Sequence, residues 1–218
     1  MPVPAFVRQE IRGSKTVTTC VERESDMTVI KPVFHHVTIK TSHLAEMVAW
    51  YEKVLGTRVQ FRDANNAWTT NDAANHRVAF LSTPALTDDP DKMRHNGMHH
   101  SAFEYAGFDD LITSYERMKA EGIGPSFCLD HGLTISFYYK DPEGNFVELQ
   151  SDNFGDWAKS SEFMRTSPDF AANPIGYFFD PDKVARAHRA GVAFKEIQQA
   201  IRANEYPPAT PPDLGIAM

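Results

Sequence analysis

The chain has 218 residues, 42% of them hydrophobic and 23% charged, with a formal net charge of −7. That is the make-up of one globular domain or a compact pair of small ones, and it excludes a disordered or fibrous chain. The acidic balance gives no support for nucleic-acid binding, and no run approaches the ~20 apolar residues of a membrane helix. The stretch Met1 to Lys15 has no apolar core, so no secretory signal is expected. Two cysteines, Cys20 and Cys128, cannot build a disulfide framework, and a cytoplasmic location with free thiols follows as the expectation.

Residues 1–30 are polar and mixed and read as an N-terminal arm. From Val33 to Lys40 the residues alternate and are rich in β-branched types, which predicts a strand. Ser42 suits a helix N-cap. Leu44, Met47, Val48, Tyr51, Val54 and Leu55 then recur at helical spacing before Gly56 stops the helix. Strands are expected at 57–62, 67–70 and 76–82, followed by a loop from Thr83 to Asn96.

The pattern then repeats. Met98 to Tyr105 reads as a strand and Phe108 to Glu121 as a helix stopped by Gly122. Strands are expected at 125–129, 133–139 and 145–150, with Asp141-Pro142-Glu143-Gly144 as a strong turn between the last two. The chain from 31 to 152 is therefore strand–helix–strand–strand–strand, twice. Neither half can close a core alone, so the two together predict one α+β domain of paired βαβββ modules. Residues 153–218 read as a mostly helical extension packed on that domain. It includes a helix that starts at Asp180-Pro181 and runs past Gly191 toward Ala203. Tyr177-Phe178-Phe179 reads as core of the extension or as an aromatic lid.

Three positions carry potential chemistry. His36 lies on the first strand of one half, and His100 lies at the matching place in the other, 64 residues later. Glu148 sits between Val147 and Leu149 in an apolar strand. A carboxylate there must be paired, metal-bound or turned to solvent. Two imidazoles and a carboxylate make the facial set of non-haem Fe(II) chemistry, with Mn(II) or another divalent ion as an alternative. Structural histidines and a solvent-facing Glu148 are the competing reading. His35 and His99 should point to the opposite strand faces from their neighbours. His76 and His95 have no assigned role.

Phe34 to Ile39, followed by the helix ending Trp50-Tyr51-Glu52-Lys53-Val54-Leu55-Gly56, resembles the vicinal-oxygen-chelate superfamily of glyoxalases, bleomycin-resistance proteins and type I extradiol dioxygenases. His100 to Tyr105 is similar to the second-module ligand strand of the dioxygenases. Ser136 to Leu149 resembles their closing motif, in which a Tyr precedes the ligand Glu by ten residues, as Tyr138 precedes Glu148. Glyoxalase-like members carry a fourth ligand on the last strand of the first half. The corresponding stretch here, Arg77 to Ser82, has no carboxylate or histidine at its centre.

The resemblance implies a vicinal-oxygen-chelate fold and a small single-domain extradiol dioxygenase. Its metal, Fe(II) or another divalent ion, would be held by His36, His100 and Glu148. Its substrates would be dioxygen and a catechol-type, perhaps biphenyl-diol-like, aromatic diol. Tyr138 would hydrogen-bond a substrate oxygen. His131 would act as acid or base, because it titrates near neutral pH. The larger dioxygenases place that histidine nine residues before the Tyr, where this chain has Leu129, so His131 takes the role only if the loop is shorter. A homodimer or larger oligomer is expected. The rival readings are a metal-dependent isomerase, epimerase or lyase, and a non-enzymatic binder of aromatic compounds.

Overall fold

The computed structural model describes residues 29–212 and Leu214. Most of the expected N-terminal arm, and Cys20 with it, lies outside the described residues. The compact unit that carries the folded modules begins at His35.

The first module runs β1 (Val37–Lys40), α1 (Leu44–Leu55), β2 (Arg58–Arg62), β3 (Asn66–Thr70) and β4 (Val78–Leu81). Its sheet has the order β1-β4-β3-β2, with β1 parallel to β4 and the other pairs antiparallel. The second module runs β5 (His100–Tyr105), α2 (Phe108–Ala120), β6 (Phe127–Asp130), β7 (Thr134–Lys140) and β8 (Phe146–Asp152). It repeats the topology as β5-β8-β7-β6 and adds a fifth strand, β9 (Tyr177–Phe178), antiparallel to β6. The mixed α+β class and the repeated module are thus as the sequence pattern predicts. The helical extension supplies α3 (Trp157–Thr166), α4 (Pro168–Ala172), α5 (Pro181–Arg189) and α6 (Phe194–Arg202). Among the described residues no helix is long and apolar enough to cross a membrane.

The second sheet is apolar on both faces, and this positions the site. Alternation sends Cys128, Ile135, Phe137, Tyr139, Val147 and Leu149 to one side, into a buried cluster with Leu111, Ile112, Tyr115 and Met118 of α2. The same cluster takes in Met47, Tyr51 and Phe80 of the first module, so one core serves both. The other side carries Phe127, Leu129, Tyr138 and Phe146, with Met93, Phe178 and Leu214 packed against them. Burying each such large side chain is worth roughly 1.5–3 kcal/mol.

The β7–β8 turn joins the modules. Glu143 Oε1 accepts from Thr41 Oγ1, from the Ser42 N–H at 3.0 Å, and lies 3.1 Å from His43 Nδ1. Tyr51 OH donates to Asp141 Oδ2 at 3.2 Å. This corrects the expected cap: α1 starts one residue later, with His43 at the N-cap and no side-chain capping bond, and Ser42 Oγ lies 3.2 Å from His43 Nδ1 instead of capping the helix.

Other boundaries also shift. β1 begins at Val37 rather than Val33, where its pairing with β4 begins, so His35 and His36 precede the strand. The long helix expected past Gly191 is two helices. Gly191 adopts φ +84°, a left-handed conformation that ends α5 before α6 begins. Asp180 caps α5 as its sequence suggests, accepting from the Asp182 and Lys183 N–H groups at 2.8 and 3.2 Å. The aromatic stretch divides between two roles. Phe179 is buried in the main core, while Phe178 packs on the opposite sheet face.

Candidate metal and substrate site

The ten-residue separation of Tyr138 and Glu148 is a hairpin register. The turn Asp141-Pro142-Glu143-Gly144 brings β7 back on β8 so that the two residues are direct cross-strand partners. Tyr138 OH donates to Glu148 Oε1 at 2.9 Å. On its other side Glu148 pairs with Ala102, and His100, two residues earlier on β5, reaches diagonally to it. His100 Nε2 lies 2.9 Å from Glu148 Oε2. Tyr138 in turn pairs with Phe127 of β6, whose ring stacks on it at 4.4 Å.

His131 lies in the tight β6–β7 turn, where its N–H donates to Thr134 O at 2.9 Å. Gly132 follows at φ +85°. Asn153 Nδ2 braces the turn through Asp130 Oδ1 and Gly132 O, each at 3.0 Å. His131 Nε2 meets Tyr138 OH at 2.9 Å. Nε2 can donate to the Tyr138 oxygen only when it is protonated; in the neutral ring whose proton goes to the Ile175 backbone, Nε2 is an acceptor at which the Tyr138 O–H can point in place of Glu148. A continuous chain, His131–Tyr138–Glu148–His100, therefore crosses one sheet face. Asp130 beside it is fully buried, and its Oδ2 has no hydrogen bond; the nearest cation is Arg202 Nε of α6, 3.7 Å away.

The electrostatics follow from burial and these contacts. Burial pushes the Glu148 carboxyl up, but hydrogen bonds from His100, Ser136 and Tyr138 and the nearby His100 charge outweigh it. Glu148 is thereby held below the usual carboxylate range and is ionised near neutral pH. Burial and the Glu148 charge raise the Tyr138 phenol, which stays protonated. Burial also lowers His131, against opposing contributions from Glu148 and a hydrogen bond to the Ile175 backbone. A neutral His131 results. Cys128 is buried in the core, where burial raises its thiol.

His36 stands elsewhere. Its Nδ1 lies 3.0 Å from His35 Nδ1 and its ring 4.3 Å from that of His76. Among the described residues, three or more ligating groups gather within 4.8 Å at His35–His36–His76 and at His43–Asp88–Glu143. His36 is not gathered with His100 and Glu148. As a test of fit to a divalent metal, His100 and Glu148 suit it in kind and position, because an ion can replace the hydrogen bond between them. His36 suits it in kind. The expected opposite pointing of His35 and His99 does not occur. His35 touches His36, because both precede β1, and His99 Nδ1 lies 2.8 Å from His100 Nδ1, because that pair straddles the start of β5. His99 Nε2 also meets Leu214 O at 2.9 Å, tying the C-terminal segment to this face.

The repeat explains the ligand count. Shifted by 64 residues, Ala102 corresponds to Thr38, which pairs with Ala79 as Ala102 pairs with Glu148. Ala79 thus occupies in the first module the place of Glu148 in the second. Sequence reasoning left out His76, which the parallel pairing of β4 with β1 brings to His36. It also left out the contributions of Phe127 and Met93 to the site face.

Residues 33–149 match the model of the Glyoxalase/Bleomycin resistance protein/Dioxygenase superfamily, and the chain belongs to that superfamily. Its curated relatives include biphenyl-2,3-diol 1,2-dioxygenase 2 of Rhodococcus globerulus, 38% identical over 83% of this chain and 94% of that protein. Biphenyl-2,3-diol 1,2-dioxygenase 3 of the same organism is 34% identical over 77% of this chain and 88% of its own length. A solved glyoxalase/bleomycin resistance protein/dioxygenase from Nocardioides overlays with a TM-score of 0.45 at 23% identity, covering 58% of this chain and 87% of that one.

Proposed function

We propose that this chain is an Fe(II)-dependent extradiol dioxygenase that opens the ring of a catechol-type diol, with a biphenyl-diol as the first substrate to try. The observation that carries the reading is the His131–Tyr138–Glu148–His100 chain on one sheet face, bordered by the apolar side chains of Phe127, Leu129 and Phe146. The names of the two Rhodococcus relatives support it. His36, His100 and Glu148 would hold the metal, with Fe(II) favoured by the two-imidazole, one-carboxylate set and Mn(II) as the alternative. When bound, the metal lowers the pKa of a diol hydroxyl and provides for dioxygen.

The remaining work belongs to the chain. Tyr138 OH is fixed by Glu148 and can hold a substrate oxygen by turning its lone pairs outward. His131, neutral and within reach of Tyr138 OH, can take a proton from a diol hydroxyl and return it to the ring-opened product. Phe127, stacked on Tyr138, keeps that phenol in place and keeps water from one side. The reading also carries a homo-oligomer, for which the wholly exposed edge strand β2, with Phe61 turned outward, is the surface to cover.

The test is anaerobic purification, metal analysis and oxygen uptake with 2,3-dihydroxybiphenyl and catechol. Fe(II)-dependent uptake with a yellow product is expected, and Glu148→Ala should lose both metal and turnover. A Glu148→Ala protein that keeps them would sink the ligand assignment. Bound metal without uptake on any diol would point to an isomerase or lyase.

A further inference from the structure

Three imidazoles converge at one end of the first sheet, apart from the hydrogen-bonded chain of the second. His35 and His36 precede β1, and His76 precedes β4, the strand paired in parallel with β1. The ring of His76 lies 4.3 Å from that of His36 and 5.2 Å from that of His35. One ligating nitrogen from each histidine lies within 4.8 Å of the other two. All three side chains have access to solvent, so an ion can enter.

The backbone beneath them is held. Val37 N–H donates to Arg77 O at 3.0 Å, and Arg77 Nη1 donates to His35 O at 2.8 Å. Arg77 is itself fixed by Asp72, with Nε 2.9 Å and Nη2 2.8 Å from Oδ2. His76 Nδ1 lies 2.7 Å from Asn75 Oδ1. An amide oxygen only accepts, so Nδ1 carries the proton and Nε2 keeps its lone pair. Metal-bound imidazoles are oriented in the same way, giving their other N–H to an outer acceptor.

Imidazoles without a carboxylate suit late first-row divalent ions and do not suit Mg(II) or Ca(II). We propose that His35, His36 and His76 form a second metal site, for Zn(II), Cu(II) or Ni(II). Its donor set is all imidazole, whereas His36, His100 and Glu148 include a carboxylate. His36 belongs to both sets, so occupancy of one excludes full assembly of the other; this clause alone rests on the dioxygenase reading.

The experiment uses the full-length apo chain loaded with one equivalent of Cu(II), read by the nitrogen superhyperfine pattern in electron paramagnetic resonance. Zn(II) calorimetry runs in parallel. Three coordinating nitrogens are expected. His76→Gln should reduce the count and weaken Zn(II) binding by at least about tenfold, because losing even an outer-shell partner of a ligand costs that much and His76 is a ligand itself. The three-nitrogen pattern should persist in a His100→Ala/Glu148→Gln protein. A pattern and affinity unchanged by His76→Gln would overturn the proposal, as would loss of the pattern in a folded double variant. If the double variant does not fold, the comparison of wild type with His76→Gln decides alone. Oxygen uptake, measured separately, reports on the dioxygenase reading whichever way the copper result falls.

Discussion

Replacing Gly176 with alanine should loosen the strand that the extension adds beside His131. Gly176 adopts φ +96°, and an added Cβ would lie 2.1 Å from Asp130 O and 2.8 Å from His131 Cα. The left-handed conformation alone costs an alanine roughly 1–2 kcal/mol. The clash is with backbone, so no side chain can swing away, and β9 must move off β6. That sacrifices the pairing of Leu129 with Phe178 and of Asp130 with Tyr177. Each backbone hydrogen bond lost there costs about 1 kcal/mol. Together these give about 3–4 kcal/mol, or a fall in Tm of roughly 10 °C for a chain of this size. Scanning calorimetry reads the fall, and oxygen uptake below the new transition reads the site. Turnover should drop even where the protein stays folded, because the Ile175 backbone hydrogen-bonds the His131 ring. A Tm within ~2 °C of wild type would refute the claim that β9 is seated by close backbone approach.

Tyr138→Phe removes the link between Glu148 and His131, and ring cleavage should fall by about 10²-fold or more while metal content stays near that of wild type; loss of metal with unchanged kcat would contradict the assigned role. His131 has a folded pKa below its ordinary value, so below about pH 6.5 the unfolded state binds more protons and stability falls with pH. The acid limb of kcat/KM should accordingly lie below pH ~6.5 and disappear in His131→Gln, and a limb above that range would argue against a neutral, buried ring. Phe137 is fully buried in the shared core, and Phe137→Ala should cost about 3–5 kcal/mol in urea unfolding; a loss under ~1 kcal/mol would mean the core is not packed as described.

Much of the architecture can be read from the sequence because the two modules repeat one pattern of period-2 and period-3.6 hydrophobicity. The Tyr138–Glu148 spacing is equally legible, since a tight turn converts sequence separation into cross-strand contact. What the sequence does not reveal is long-range. His43 rather than Ser42 is the N-cap of α1, and Glu143, 101 residues away, takes the Ser42 N–H. Gly191 could be seen, but whether the chain would turn there depended on packing of α5 and α6. His76 carried no motif, and only the parallel pairing of β4 with β1 brings it to His36. The histidine pairs do not split across strand faces, because strand alternation begins only at Val37 and at His100.

The β7–β8 hairpin loop is a shared length standard. Its four residues set the register that puts Tyr138 opposite Glu148, and the same residues reach across to fasten the other module through Glu143 and Asp141. One inserted residue would turn a reactive side chain to the wrong face and unhook the neighbouring helix in the same stroke. A change of length is therefore not tolerable in this short turn, where chemistry and assembly are measured by the same ruler.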